Sequence, residues 1–200
     1  MDASSYAVLI FLALAFGERV AHSLARRETV RGELRMRWSL YVLYSLYTAV
    51  VLGSLVEHLC LRRSTLLLGW SLLGLALFVA SVCLRYIAVR TLGQFWSLQV
   101  EIRDQHQLVD SGVYRYVRHP IYSSIVLEII AIPLVANAWW TLALASTAHL
   151  AALLLRLRRE EREMINQLGT RYIEYQQRTG ALFPRLGKRS NAKDLVSRSS

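Results

Sequence analysis

Cysteine and lysine are both scarce in these 200 residues. The two cysteines, Cys60 and Cys83, lie in or beside apolar runs. A disulfide framework needs more of them, a zinc site needs clustered ligands, and a reactive thiol needs an electropositive neighbour. Those partners are absent, so both are expected as small, buried apolar side chains. Lysine occurs only as Lys188 and Lys193, so that 22 of the 24 basic residues are arginine. The N-terminus carries Asp2 and no basic stretch, and no small-residue cleavage site follows the first apolar run. That run is therefore expected to remain as a membrane span, not to be removed as a signal peptide. The sequence shows no internal repeat and gives no sign of a second domain.

What is abundant is hydrophobic residues and arginine, kept apart. Hydrophobic residues make up 54% of the chain, yet the formal net charge is +10. A soluble domain would spread those charges along its surface helices. Here long apolar runs alternate with short basic clusters, the pattern of membrane spans and loops. A nucleic-acid binder would gather its arginines into one basic domain. These flank apolar runs, where anionic headgroups attract them, so membrane lipids and no nucleic acid are the expected partners.

Five stretches approach the roughly 20 residues that cross about 30 Å of hydrocarbon: 4–24, 38–61, 65–89, 121–136 and 139–157. The fourth is short, and only the turn around Asn137 separates it from the fifth, which predicts a tight helical hairpin. Arg26, Arg27, Arg31, Arg35 and Arg37 follow the first span, and Arg62 and Arg63 follow the second. The hairpin turn has no arginine, whereas the 90–120 segment and the tail after residue 157 are rich in it. Five spans put the first loop, the 90–120 segment and the tail on one side, which the positive-inside rule makes cytoplasmic. The expectation is an all-α integral membrane bundle of about five transmembrane helices. Residues 1–90 supply three spans, residues 91–186 a hairpin with a C-terminal helix, and residues 187–200 a disordered tail. The arginine bias hints at a GC-rich bacterial genome, and so at a bacterial inner membrane.

Residues 158–178 are highly charged, with Met164, Ile165, Leu168, Tyr172 and Tyr175 at the spacings of an amphipathic helix. Gly169 marks a break in it, and Pro184 ends the ordered part. Tyr172 and Tyr175 read as packing residues or interface anchors, and Trp139 and Trp140 as interfacial anchors. Glu18 and Arg19 read as a pair near the end of the first span.

Two blocks carry chemistry. Residues 106–122 are polar and rich in His, Arg and Tyr, with Gly112 for a turn and Pro120 as the natural first residue of the fourth helix. The second block is Arg156-Leu157-Arg158-Arg159-Glu160-Glu161, in which Arg156 and Glu160 share a helix face. The hairpin returns this block to the end where Arg118-His119-Pro120 lies. Carboxylates, tyrosine faces and backbone donors gathered there suit a cationic, nucleotide-bearing cofactor: a carboxylate binds ribose hydroxyls or offsets a sulfonium, and aromatic faces attract cations.

The ordered set His106, Leu108, Val109, Gly112, Tyr114, Arg118, His119, Pro120, Tyr122, Glu160, Glu161, Gly169, Tyr172, Tyr175 and Pro184 resembles the isoprenylcysteine carboxyl methyltransferases over residues 93–184. It is shared more loosely with the membrane phospholipid N-methyltransferases. The resemblance implies an enzyme using S-adenosyl-L-methionine on a lipophilic or lipid-modified acceptor. It implies a cofactor pocket lined by Gln99, His106, Gln107, Leu108, Val109, Tyr114, His119, Pro120, Ile121, Tyr122, Glu160 and Glu161. Arg156 would face the acceptor's anionic group, and Arg118 is a second arginine able to hold it. If the acceptor is an amine, His119 or Glu161 would be the base. Ser124 departs from the glycine often found two residues after the motif tyrosine, and its small side chain is expected to fit. Two rivals stay open: an NADPH-dependent membrane reductase with a similar Arg-His-Pro-x-Tyr element, and a membrane protein with a degenerate pocket. No metal site is expected.

Overall fold

The computed structural model describes residues 3–24, 33–35, 37–60, 67–93, 100–102 and 108–185. The expected tail, 187–200, lies outside the described residues. Among the described residues there are six α-helices: α1 (Ala3–Leu24), α2 (Arg37–Cys60), α3 (Leu68–Leu92), α4 (Pro120–Ala136), α5 (Trp139–Leu168) and α6 (Thr170–Arg178). A short 3-10 turn, Gly112–Arg115, precedes α4. Two strands that the sequence did not announce, β1 (Glu33–Arg35) and β2 (Val100–Ile102), pair antiparallel with Leu34 opposite Glu101. They tie the α1–α2 connection to the α3–α4 connection at one end of the bundle.

The chain is a multi-pass integral membrane protein. Helices α1, α2, α3 and α5 are each long and apolar enough to span a bilayer. The fourth expected span is α4, whose 17 residues cover about 25 Å at 1.5 Å per residue, short of the hydrocarbon thickness. It lies inside the bundle, buried along most of its length. The fifth expected span, 139–157, is the first part of a longer helix. That helix runs unbroken for 30 residues to Leu168, about 45 Å, so its last third stands clear of the hydrocarbon. Gly169, at φ 56°, breaks the helix as expected before α6.

The hairpin turn is built on Asn137, which adopts left-handed geometry at φ 55° and ψ 36°. Asparagine tolerates this region better than other side chains. Its amide also accepts from the Leu67 N–H at 3.0 Å and donates to Ser71 Oγ at 2.7 Å, fastening α3 to the turn. Glu57, at the end of α2, caps α5 by accepting the N–H groups of Trp140 and Thr141 at 3.0 and 2.8 Å. Pro133 cannot donate within α4, so the Ile129 carbonyl loses its helical partner. Ser146 of α5 donates to that carbonyl at 2.6 Å. Helices α3 and α4 approach so closely at Gly74 that a Cβ there would lie 2.7 Å from the Val135 backbone nitrogen.

Two expectations are corrected. Cys60 and Cys83 are exposed on the helix surface, because a span's outer face is itself apolar and gives a small apolar side chain no reason to turn inward. Glu18 and Arg19 do not pair with each other, since adjacent helical residues point apart. Glu18 binds Arg85 of α3 at 2.8 Å, and Arg19 reaches Glu128 of α4 at 3.3 Å.

Candidate functional site

Pro120 opens α4 at its first turn, with His119 as the preceding cap. Proline suits that position because its missing N–H would be unpaired there anyway. The first turn of α4 then faces the emergent part of α5. The rings of His119 and Tyr122 stack, with centroids 5.4 Å apart and planes 8° from parallel. The Tyr122 hydroxyl donates to the Glu160 carboxylate and accepts from Arg156 Nε at 2.8 Å. Arg156, 6% exposed, also donates from Nη1 to Ser39 Oγ of α2 at 2.6 Å. One hydrogen-bonded chain thus runs Glu160–Tyr122–Arg156–Ser39 across α5, α4 and α2.

A second set sits beside it. Glu161 accepts from Arg118 Nε at 2.8 Å and lies 3.3 Å from His119 Nε2. Burial alone would raise the Glu161 carboxyl, but the hydrogen bonds from His119 and Arg118 outweigh it and hold it down to about 2. Arg118 Nη1 also donates to the carbonyls of Gln176, at 3.1 Å, and Thr179. Its guanidinium therefore clasps the end of α6.

The chain after α6 returns along this element. The Arg118 and His119 N–H groups donate to the carbonyls of Gly180 and Ala181 at 2.8 and 3.0 Å, and Ser123 Oγ donates to the Leu182 carbonyl at 2.6 Å. Residues 179–182 form a strap along 116–119. Tyr175 secures the other side by donating to the Tyr114 carbonyl at 2.6 Å. Burial pushes the Tyr175 hydroxyl up to about 12 and the buried Tyr114 hydroxyl higher still. Both hydroxyls stay protonated at neutral pH.

Of the residues singled out in the sequence, the fold brings Tyr114, Arg118, His119, Pro120, Tyr122, Arg156, Glu160 and Glu161 to one end of the bundle. Ile121 lies half-buried in the first turn of α4, and Leu108 and Val109 lie half-buried ahead of the 3-10 turn. Gln99, His106 and Gln107 lie outside the described residues. Ser124 is fully buried, with its hydroxyl turned back to the Ile121 carbonyl at 2.7 Å. Sequence reasoning missed Ser39 and the strap. For the strap a signal existed: Gly180 precedes Pro184 by four residues, and a Cβ on it would fall 1.7 Å from the Phe183 carbonyl oxygen.

The isoprenylcysteine carboxyl methyltransferase (ICMT) family matches residues 73–166. Over that stretch, just under half of its length, the chain resembles this family. Its fold is similar to that of the eukaryotic intramembrane Ras methyltransferase ICMT, with a TM-score of 0.64 and 25% identity, covering 70% of this chain and 52% of that one. Among curated proteins it is 26% identical to protein-S-isoprenylcysteine O-methyltransferase B of Arabidopsis thaliana over 187 residues, 88% of this chain and 91% of that one. It is 35% identical to methanethiol S-methyltransferase 2 of Bradyrhizobium diazoefficiens over 85 residues, 42% of this chain and 32% of that one. Its first curated matches are bacterial proteins of which it spans about half the length. The ICMT match runs from within α3 to the emergent part of α5, so α1 and α2, with Ser39, lie before it.

Proposed function

We propose that this chain is an integral membrane methyltransferase that moves a methyl group from S-adenosyl-L-methionine to a lipophilic acceptor. The observation that carries this reading is the Tyr122 hydroxyl, which joins Glu160 to Arg156 and so links the two motif blocks in one hydrogen-bonded chain.

The donor set fits the cofactor. Among the described residues Glu160 pairs with no cation, in contrast to Glu161, so it offers a carboxylate to ribose hydroxyls or to a positive sulfur. The stacked His119 and Tyr122 rings offer aromatic faces, and Pro120, Ile121 and the Leu108–Val109 backbone complete one wall. Gln99, His106 and Gln107 are assigned to the same pocket by the family resemblance. When bound, the cofactor supplies a methyl group activated by a sulfonium. The chain's own work is to position the acceptor and keep water out. Arg156 places a guanidinium beside Tyr122 for the acceptor's anionic end. Arg118 serves as a clasp for the strap.

An acceptor that arrives already ionised suits this site. A carboxylate is ionised at neutral pH and needs no base. Amine methylation needs one, and Glu161, held near pKa 2 by Arg118 and His119, is a weak base. A thiol, the acceptor in the name of the Bradyrhizobium relative, stands between them. The acceptor enters from the bilayer and the cofactor from the arginine-rich side, taken as the cytoplasmic face of a bacterial inner membrane. Isothermal titration of the folded, purified chain with S-adenosylhomocysteine tests the reading: saturable binding is expected, and its absence sinks it. Methyl transfer from labelled cofactor to prenylated cysteines, aminolipids and small thiols then ranks the acceptors.

A further inference from the structure

Helix α4 is apolar nearly all round. Of its 17 residues thirteen are buried, and Ile, Val, Leu and Ala make up most of its faces. Such a helix has no single apolar stripe to select one rotation or one depth. It carries one charge, Glu128, which is 0% exposed. Three other helices reach that carboxylate. Tyr47 of α2 donates to Oε1 at 2.8 Å. Arg19 of α1 donates to Oε2 at 3.3 Å, and Arg85 of α3, itself 1% exposed, donates to the same oxygen. Arg85 also donates to Glu18 of α1 at 2.8 Å, which closes the cluster. Among the described residues the cluster holds two arginines and two carboxylates.

Buried ion pairs are weak stabilisers, because desolvation offsets their attraction; their best-attested use is to specify one arrangement over its neighbours. That use has a target here. Tyr122 lies six residues before Glu128 on the same helix, about 9 Å along its axis. A rotation of α4 by one residue position, about 100°, would carry the Tyr122 hydroxyl away from both Glu160 and Arg156. We propose that Glu128 is a positioning residue: its contacts from α1, α2 and α3 set the rotation and depth of α4 and thereby hold Tyr122 between Arg156 and Glu160. The inference rests on the site assigned above. Its partners Arg19 and Tyr47, and Glu18 that holds Arg85, come from helices that precede the ICMT match.

The test uses the full chain in nanodiscs. Glu128→Gln removes the carboxylate charge that Arg19 and Arg85 share and is expected to lower the melting temperature. The decisive variant removes all four charges together: Glu18→Gln, Arg19→Met, Arg85→Met and Glu128→Leu. It is expected to melt at or above the parent temperature, yet bind S-adenosylhomocysteine at least tenfold more weakly. A spin-label distance distribution between Arg90 and Tyr116, both exposed, should broaden in the same variant, in a background with Cys60 and Cys83 replaced by serine. Parental affinity together with a parental, narrow distribution in a stable variant overturns the proposal. If the parent itself binds no S-adenosylhomocysteine, the functional reading has failed, and the distance distribution alone decides the positioning role. Should the fourfold variant not accumulate, Arg85→Lys decides: lysine keeps the charge but lacks the fork that bridges Glu18 and Glu128. A broadened distribution supports the proposal, and a parental one overturns it.

Discussion

The Tyr122 hydroxyl accepts a hydrogen bond from Arg156 Nε at 2.8 Å while donating to Glu160, so one oxygen relays between a cation and an anion 34 and 38 residues away. Removing it leaves the ring in place and both charged partners without their bridge. Hydrogen bonds to charged groups contribute about 1.5–3 kcal/mol. Tyr122→Phe is therefore expected to weaken S-adenosylhomocysteine binding by roughly tenfold or more, with the melting temperature changing far less than the affinity. Calorimetric titration beside a thermal melt separates the two. Unchanged affinity would show that the bridge does not shape the pocket.

Glu161 predicts a pH dependence. Its carboxyl sits at about 2 in the folded chain, below the ordinary 4.5, because His119 and Arg118 hold its charged form against the effect of burial. A depressed acid stabilises the fold fully above its ordinary pKa and loses that contribution as pH falls through the folded value. Glu161→Gln should thus melt several degrees below the parent at pH 7. The gap should stay constant from pH 8 to about pH 5 and close between about 4.5 and 2. A gap that instead widens on acidification contradicts the pairing.

How far the sequence foretold these contacts depends on their range. The hairpin was legible because two apolar runs meet at one polar residue, Asn137, and the Gly169 break because glycine interrupts a helical pattern. The return of Glu160 to Tyr122 followed from the hairpin alone. The ion cluster was not legible: chain proximity suggests Glu18 with Arg19, whereas helix geometry sends them to Arg85 and Glu128. The outward cysteines were misread because lipid is as apolar as a core, so hydropathy does not separate the inside of a bundle from its outside. The strap escaped because it is held through its own main-chain carbonyls, which accept from Arg118, His119 and Ser123 and leave only the Gly180–Pro184 spacing as a trace in the sequence. Ser39 escaped because one serine near the start of a span has no periodicity to mark it.

Glu57 predicts a stability effect remote from the site. It accepts the first free N–H groups of α5 and the Thr141 hydroxyl, replacing the partners a helix start lacks. Loss of a helix cap costs about 1 kcal/mol, or about 2–4 °C for a chain of this size. Glu57→Ala should lower the melting temperature by that amount. S-adenosylhomocysteine affinity should hold, because Glu57 meets α5 at Trp140 and Thr141, some 20 residues, about 30 Å, before Glu160. A loss of affinity without loss of stability would contradict a capping role.

Gly180 predicts the opposite pattern. Its N–H meets the Tyr116 carbonyl, and its own carbonyl receives the Arg118 N–H, so it stands at the crossing of the strap and the motif. A Cβ there would lie 1.7 Å from the Phe183 oxygen, a contact backbone movement alone relieves. Gly180→Ala should therefore lift the strap while α1 to α5 keep their packing. The expected result is little change in the main unfolding transition, faster proteolysis after Arg178 and Arg185, and S-adenosylhomocysteine affinity lowered at least several-fold, since His119 donates to the neighbouring Ala181 carbonyl. Limited trypsin digestion with titration of the same preparation checks both. Parental affinity in a variant with a cleavable strap would show that the strap closes the surface without shaping the His119–Tyr122 element.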